Sequence, residues 1–388
     1  MKRYVGIIIG LLFTTSIHTQ EIDIYGYFEP QFSGMYFNNN FQQFHSNKLR
    51  VDFKSTEVKH TEFGANIIYL LYFGKKDWNF LDFLPEDIAS TVPPEMHPLY
   101  QFSFKDSLYL DNVYARIGFR RFAFTIGKQQ ISLGTGYFSN PNDVFNTKDA
   151  IDPTYEQPGH NGIRMDFLLK NRLSLMLLYA PIEENWEHSG KLARLKAGFG
   201  HFDVSILFNE MYHNTTNFYT LRISGQCRRI VGLDFVGELL GFGIWGEGAY
   251  NIMENDDDFH EFIVGGDYTF DNGLYTLIEY HRNSRAKSES REYDLNDWMH
   301  FFIGETKTIS RDQVYGFARY QISDLLGVGS SFIVSISDKS AAIVPTIEYS
   351  LFENIDITLI ANFYTGEEGT AFSSSLGNGG FVRARVYF

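Results

Sequence analysis

The sequence predicts an all-β fold: a transmembrane antiparallel up-and-down β-barrel of about 18 strands. Three observations lead there. Apolar and polar residues alternate with a period of two along most of the chain. Past residue 20 there is no run of 18 apolar residues, so a helical membrane protein is excluded while a barrel, whose apolar residues are diluted by alternation, is not. The connections alternate between short and long, and the long ones fall on one side.

The alternation is clearest in Glu21–Phe37. Ile22, Ile24, Phe28, Phe32 and Tyr36 share one parity, and Asp23, Glu29, Gln31 and Ser33 the other. The pattern returns as Leu49, Val51 and Phe53 against Lys48, Arg50 and Asp52, and as Ile163, Met165 and Phe167 against Arg164 and Asp166. Such a strand separates lipid from water. The spans read as strands are 21–37, 47–55, 59–73, 101–118, 121–133, 161–170, 172–180, 191–200, 202–210, 218–226, 238–251, 259–270, 274–283, 313–323, 327–337, 342–350, 355–365 and 379–388. Glycines blur the turn within 227–251. The last strand carries Val382, Ala384, Val386 and Phe388 on one face, with Arg383 and Arg385 on the other, and a terminal aromatic closes it as in bacterial outer-membrane barrels.

Residues 1–20 read as a cleaved export signal: Lys2 and Arg3 precede a short apolar core, Val5–Phe13, and then polar and small residues. The barrel is then 21–388, in the outer membrane of a Gram-negative-type bacterium. Aromatic residues at 17% exclude disorder. A pI near 5.2 argues against nucleic acid as a partner. One cysteine, Cys227, excludes a disulfide framework.

Net charge is −14, and removing Lys2 and Arg3 makes it −16. The long loops 74–100, 134–160, 181–190, 252–258, 284–312 and 366–378 together carry that whole excess. Wall charges therefore cancel, as expected if both signs face a common lumen. Inward bases include Lys48, Arg50, Arg116, Arg164, Arg383 and Arg385; inward acids include Glu29, Asp52, Glu62, Asp166, Glu247, Glu261 and Glu279. A wall of both signs sets up a transverse field in a watery pore.

Catalytic and metal constellations are weak. His281-Arg282-Asn283-Ser284 places His and Ser at a strand end without a third orienting group. The other histidines lack metal-ligand spacing, the acidic run Glu254–Asp258 lacks the glycine of a calcium loop, and the Gly127–Gly136 stretch lacks a P-loop lysine. No cofactor, metal or catalytic residue is expected.

The most distinctive stretch is 113–181. It holds Gly127-Lys128-Gln129-Gln130, the pair Gly134 and Gly136, the loop Asn140-Pro141-Asn142-Asp143, and the downstream Arg164. It resembles the alginate-export-type porins, with Lys128 where that family often has Arg. The resemblance covers about 70 residues. It implies an 18-stranded barrel passing polysaccharide, sugar acids or other small solutes. The 27-residue loop 134–160, stiffened by Pro141, Pro153 and Pro158, is expected to fold into the lumen and narrow it. The expected pore contacts are Arg116, Lys128 and Arg164, with Asp143, Lys148 and Asp152 from the loop and Arg383 and Arg385 from the last strand. Lys128 reaches water only if a bulge at Gly127 reverses the alternation or if it lies beyond the bilayer edge. The reading is a passive porin in contact with outer-membrane lipid, for small hydrophilic or anionic saccharide solutes. The other readings are a barrel enzyme, marked by a His–Ser or carboxylate pair at the rim, and a surface adhesion protein anchored by a plugged barrel.

Overall fold

A computed structural model describes residues 21–56, 60–149, 151–152, 156–182 and 185–388. The expected export signal at 1–20 lies outside the described residues, as does Pro153 of the long loop. Among the described residues no helix is long and apolar enough to cross a membrane.

The strands are β1 Ile22–Phe37, β2 Asn40–Ser55, β3 Thr61–Gly74, β4 Asp77–Asn79, β5 Gln101–Ser103, β6 Ser107–Phe119, β7 Phe122–Gln130, β8 Gly159–Lys170, β9 Leu173–Ala180, β10 Gly190–Phe199, β11 Phe202–Asn217, β12 Arg222–Leu239, β13 Phe242–Met253, β14 Phe259–Thr269, β15 Tyr275–Asn283, β16 Asp312–Ser323, β17 Leu326–Ser335, β18 Ser340–Phe352, β19 Ile355–Tyr364 and β20 Asn378–Tyr387. All but β4 and β5 form one 18-stranded antiparallel sheet. It closes where β1 pairs with β20, Gln31 opposite Arg383 and Phe32 opposite Val382. Closure leaves no unpaired edge in lipid, where an unsatisfied backbone group is costly.

The expected parity holds along the wall. Ile22, Ile24, Phe28 and Phe32 are exposed on the outer face, whereas Glu29 and Ser33 are buried inside. The same division puts Val231 and Leu233 outward and Ile230 and Asp234 inward on β12.

Four spans differ from expectation. β2 begins at Asn40, because Asn38 and Asn39 both take positive φ (49° and 60°) and make a two-residue hairpin. β12 runs unbroken through 227–237, the expected connection between strands 218–226 and 238–251, and turns at Leu240-Gly241 (φ 54° and 84°). Gly225, Gly232 and Gly237 interrupt its pattern without breaking the strand. The expected strand 101–118 is two elements: β5 leaves the wall to pair with β4, and only β6 belongs to the barrel. The expected strand 121–133 stops at Gln130; Ile131 and Leu133 turn inward and pack on Leu178, Leu192 and Leu207.

The long connections, 75–106, 131–158, 181–189, 284–311 and 365–377, all lie at one rim, and two-residue turns such as 120–121 and 171–172 lie at the other. At the long-loop rim, 75–106 and 284–311 share an apolar core. Leu81, Leu84, Val92 and Tyr100 pack with Leu295, Trp298, Met299 and Ile309. Fully burying a side chain of this size stabilises by about 1.5–3 kcal/mol. The helix Leu295–Phe302 within this core starts on a capping box between Asp294 and Asp297.

Candidate functional site

The loop 131–158 leaves β7 and returns to β8, its neighbour on the wall, yet its contacts lie on distant parts of the barrel. Its outgoing limb reaches β13–β15. There the inward carboxylates of Glu247 and Glu279 accept hydrogen bonds from loop backbone. Glu279 takes the N–H groups of Tyr137 (2.7 Å), Phe138 (2.8 Å) and Ser139 (3.2 Å), together with the indole N–H of Trp245 (2.6 Å). Glu247 takes those of Thr135 (2.8 Å) and Asn142. Glu261 lies between them and accepts from His281 Nε2 (2.8 Å) and the Ser139 hydroxyl (3.4 Å). A loop with no regular structure must satisfy its backbone groups somewhere, and here wall carboxylates do it.

The glycine pair makes this approach possible. Gly134 has φ +84°, and a Cβ there would lie 2.3 Å from the Glu247 carboxylate. A Cβ on Gly136 would meet the Ser139 carbonyl and Ile263. Lysines bind the acceptors that remain: Lys148 donates to the Gly136 carbonyl, and Lys307, from 284–311, donates to that of Asn140.

The returning limb lies against β20, β1 and β2. Asp152 pairs with Arg383. Glu156 Oε2 accepts from the Tyr27 hydroxyl (2.7 Å), Lys48 Nζ (3.0 Å) and Arg50 Nη1 (3.0 Å). Burial pushes the Glu156 carboxyl up, but the charge of Lys48, the Tyr27 hydroxyl and the charge of Arg50 outweigh it and hold the group at about 2. With one limb on β13–β15 and the other on β20–β1–β2, the loop crosses the lumen.

The expected site residues divide into groups. Arg116 and Arg164 both point inward and line one cavity of about 490 Å³, with Arg50, Lys54 and Asp52. Arg116 lies 3.6 Å from Glu62, and Arg164 2.9 Å from Asp166. Arg383 and Arg385 line a second cavity of about 320 Å³ with Arg319 and Glu348. Arg385 also pairs with Glu29 at 2.6 Å. Asp152 joins this second group through Arg383. Lys148 belongs to the loop's own clasp, where burial pushes its ammonium below the usual lysine range.

Like Lys148, Lys128 and Asp143 line neither cavity. Lys128 keeps the outward parity of Ile126, because β7 stays in register with β6 through Gly127 despite the positive φ there. Its ammonium donates to the Leu110 carbonyl (2.8 Å) and lies over the Tyr109 ring. Asp143 is only 1% exposed. Its carboxylate is taken up by the N–H groups of Leu133, Phe145 and Asn146 and the Asn146 amide, so it shapes the loop from within. At the rim, His281 pairs with Glu261, while the Ser284 hydroxyl accepts the His260 N–H, so the two are not joined.

Sequence reasoning placed Glu247 and Glu279 on the inner face without seeing that they hold the loop. A carboxylate among apolar inward neighbours, paired with a loop glycine pair elsewhere, was the available signal. It did not single out Glu156 or Tyr27.

With this geometry, the chain is a closed 18-stranded antiparallel β-barrel with a loop laid across its inside. Solved structures of three barrels superpose on nearly all of it. OccAB4 of Acinetobacter baumannii has a TM-score of 0.57 at 13% identity, covering 95% of this chain and 97% of that one. OccAB2 of the same organism has 0.58 at 8%, covering 95% and 98%. A BenF-like porin of Pseudomonas fluorescens Pf-5 has 0.57 at 9%, covering 95% and 98%. At these identities the likeness is one of fold. No protein-family model and no curated protein sequence matches the chain.

Proposed function

We propose that the chain is an outer-membrane porin that passes small hydrophilic solutes by diffusion, sugar acids among them, without a cofactor or a catalytic step. The observation that carries this reading is the loop 131–158 pinned across the lumen beside base-lined cavities. In the larger of those cavities Arg50, Lys54, Arg116 and Arg164 face Asp52, Glu62 and Asp166. In the other, Arg319, Arg383 and Arg385 face Glu348 and Asp356. The larger lining carries one more base than acid, a field that favours anions in a confined aqueous path, whereas in the other Glu29 and Asp152 offset Arg385 and Arg383. The resemblance of 113–181 to alginate-export-type porins supports sugar acids or their polymers as the solute class. Export through residues 1–20 to a Gram-negative outer membrane completes the reading.

An adhesion anchor with a closed lumen and a barrel enzyme are separated from it by one experiment. Liposomes carrying the folded chain are swollen in glucuronate, glucose and glucosamine. The porin reading expects passage in that order. Absence of passage for all three would contradict it.

A further inference from the structure

The part of the wall that meets the loop's returning limb is a built anion site. Tyr27 on β1 stands opposite Arg50 on β2, Glu29 opposite Lys48, and Gln31 opposite Arg383 on β20. All of these side chains point inward. The wall here supplies four bases, Lys48, Arg50, Arg383 and Arg385. It supplies two acids, Asp52 beside Arg50 (2.8 Å) and Glu29 beside Arg385 (2.6 Å). The remaining two positive charges are matched by the loop, through Asp152 on Arg383 and Glu156 on Lys48 and Arg50. One oxygen of Glu156 alone receives three donors at 2.7–3.0 Å from two adjacent strands.

The two sides of this contact differ in kind. The donors stand on paired strands whose backbone ladders do not involve the loop. Glu156 and Asp152 stand outside the strands, in a loop covalently tied to the barrel. A tethered carboxylate acts as a local ligand at an effective concentration on the order of millimolar. Glu156 stays ionised to about pH 2, so it is an anion under any working condition.

We infer that Glu156, assisted by Asp152, is an internal ligand of this wall site, and that small carboxylate solutes in the lumen compete with it and displace these two carboxylates from the wall. The inference rests on the porin reading for its supply of solute. A solute carboxylate that takes the Lys48–Arg50–Tyr27 donors releases Glu156 from them. A neutral sugar offers no such exchange.

The test uses the full chain folded in detergent, with glucuronate as probe and glucose as control. Calorimetry should show Glu156→Gln binding glucuronate about tenfold more tightly than the wild type, since the tethered competitor is gone. Adding Lys48→Gln should abolish that gain. In the wild type, backbone amides of 151–152 and 156–157 should exchange faster in tens of millimolar glucuronate than in glucose. This second measurement needs no variant and decides the matter if Glu156→Gln does not fold. Equal glucuronate affinity with and without Glu156, or equal exchange in the two sugars, would overturn the inference. Neither measurement involves a membrane, so a barrel that fails to pass solute would count against the porin reading and leave this result standing.

Discussion

Replacing Glu279 by alanine removes the acceptor for four donors: the backbone N–H groups of Tyr137, Phe138 and Ser139 and the indole of Trp245. Glu279 is 0% exposed, so water does not already serve these groups. A hydrogen bond to a charged acceptor contributes about 1.5–3 kcal/mol. Water entering from the lumen recovers part of this, and a net loss of about 1 kcal/mol per donor gives about 4 kcal/mol for the contact. The loss falls on the loop and spares the sheet, because β15 keeps its backbone ladder to β14 and β16. Local opening should become easier by about 4 kcal/mol, or between two and three powers of ten in the exchange of the Tyr137–Ser139 amides. Heat-modifiable migration should stay unchanged. The assay is hydrogen exchange on the detergent-folded barrel, with planar-bilayer conductance beside it. Exchange at 137–139 no faster than in the wild type would refute the claim that Glu279 holds the loop on the wall.

Three further outcomes are expected. Arg116→Glu with Arg164→Glu turns the larger cavity acidic, so the reversal potential in a salt gradient should move toward cations, more at low salt than at high. Phe388→Asp should lower the amount of folded barrel in membranes, because Phe388 is 59% exposed on the outer face, and a charge facing lipid is destabilising in a depth-dependent way. The folded carboxyl of Glu156 lies below its ordinary 4.5, so its contribution is complete above that value and is lost as pH falls toward about 2. Exchange at Glu156 and Gln157 should therefore change little between pH 7 and pH 5 after correction for the intrinsic rate, and the protection should be lost only in strong acid.

The barrel was legible because lipid and water impose a period of two on every wall strand. Inward placement of Arg116, Arg164, Glu247 and Glu279 follows from that period alone. It failed where another demand intervened. Gly225, Gly232 and Gly237 hide β12, and Gly232 is needed there because a Cβ would strike the Asn142 amide. The first half of β2, with Asn40 and Gln42 on one parity and Gln43 on the other, is polar on both faces and breaks the alternation. Residues 101–103 alternate like a wall strand but pair with β4, beside Phe102 stacked on Phe80. Asp143 resembles a pore charge in sequence because a buried turn and a lumen surface ask for the same residue. The contacts of Glu156 with Tyr27, Lys48 and Arg50 join residues more than a hundred positions apart, and no local pattern records them.

The central claim is that 131–158 crosses and narrows a conducting lumen. Single-channel recording of the wild type beside a barrel lacking Ser139–Gln157 tests it most directly. Discrete steps are expected from the wild type and larger steps after the deletion, since the removed residues include Ser139 on Glu279, Asn142 on Glu247 and Glu156 on Lys48. Equal conductance from the two barrels, or a silent wild type, would contradict it.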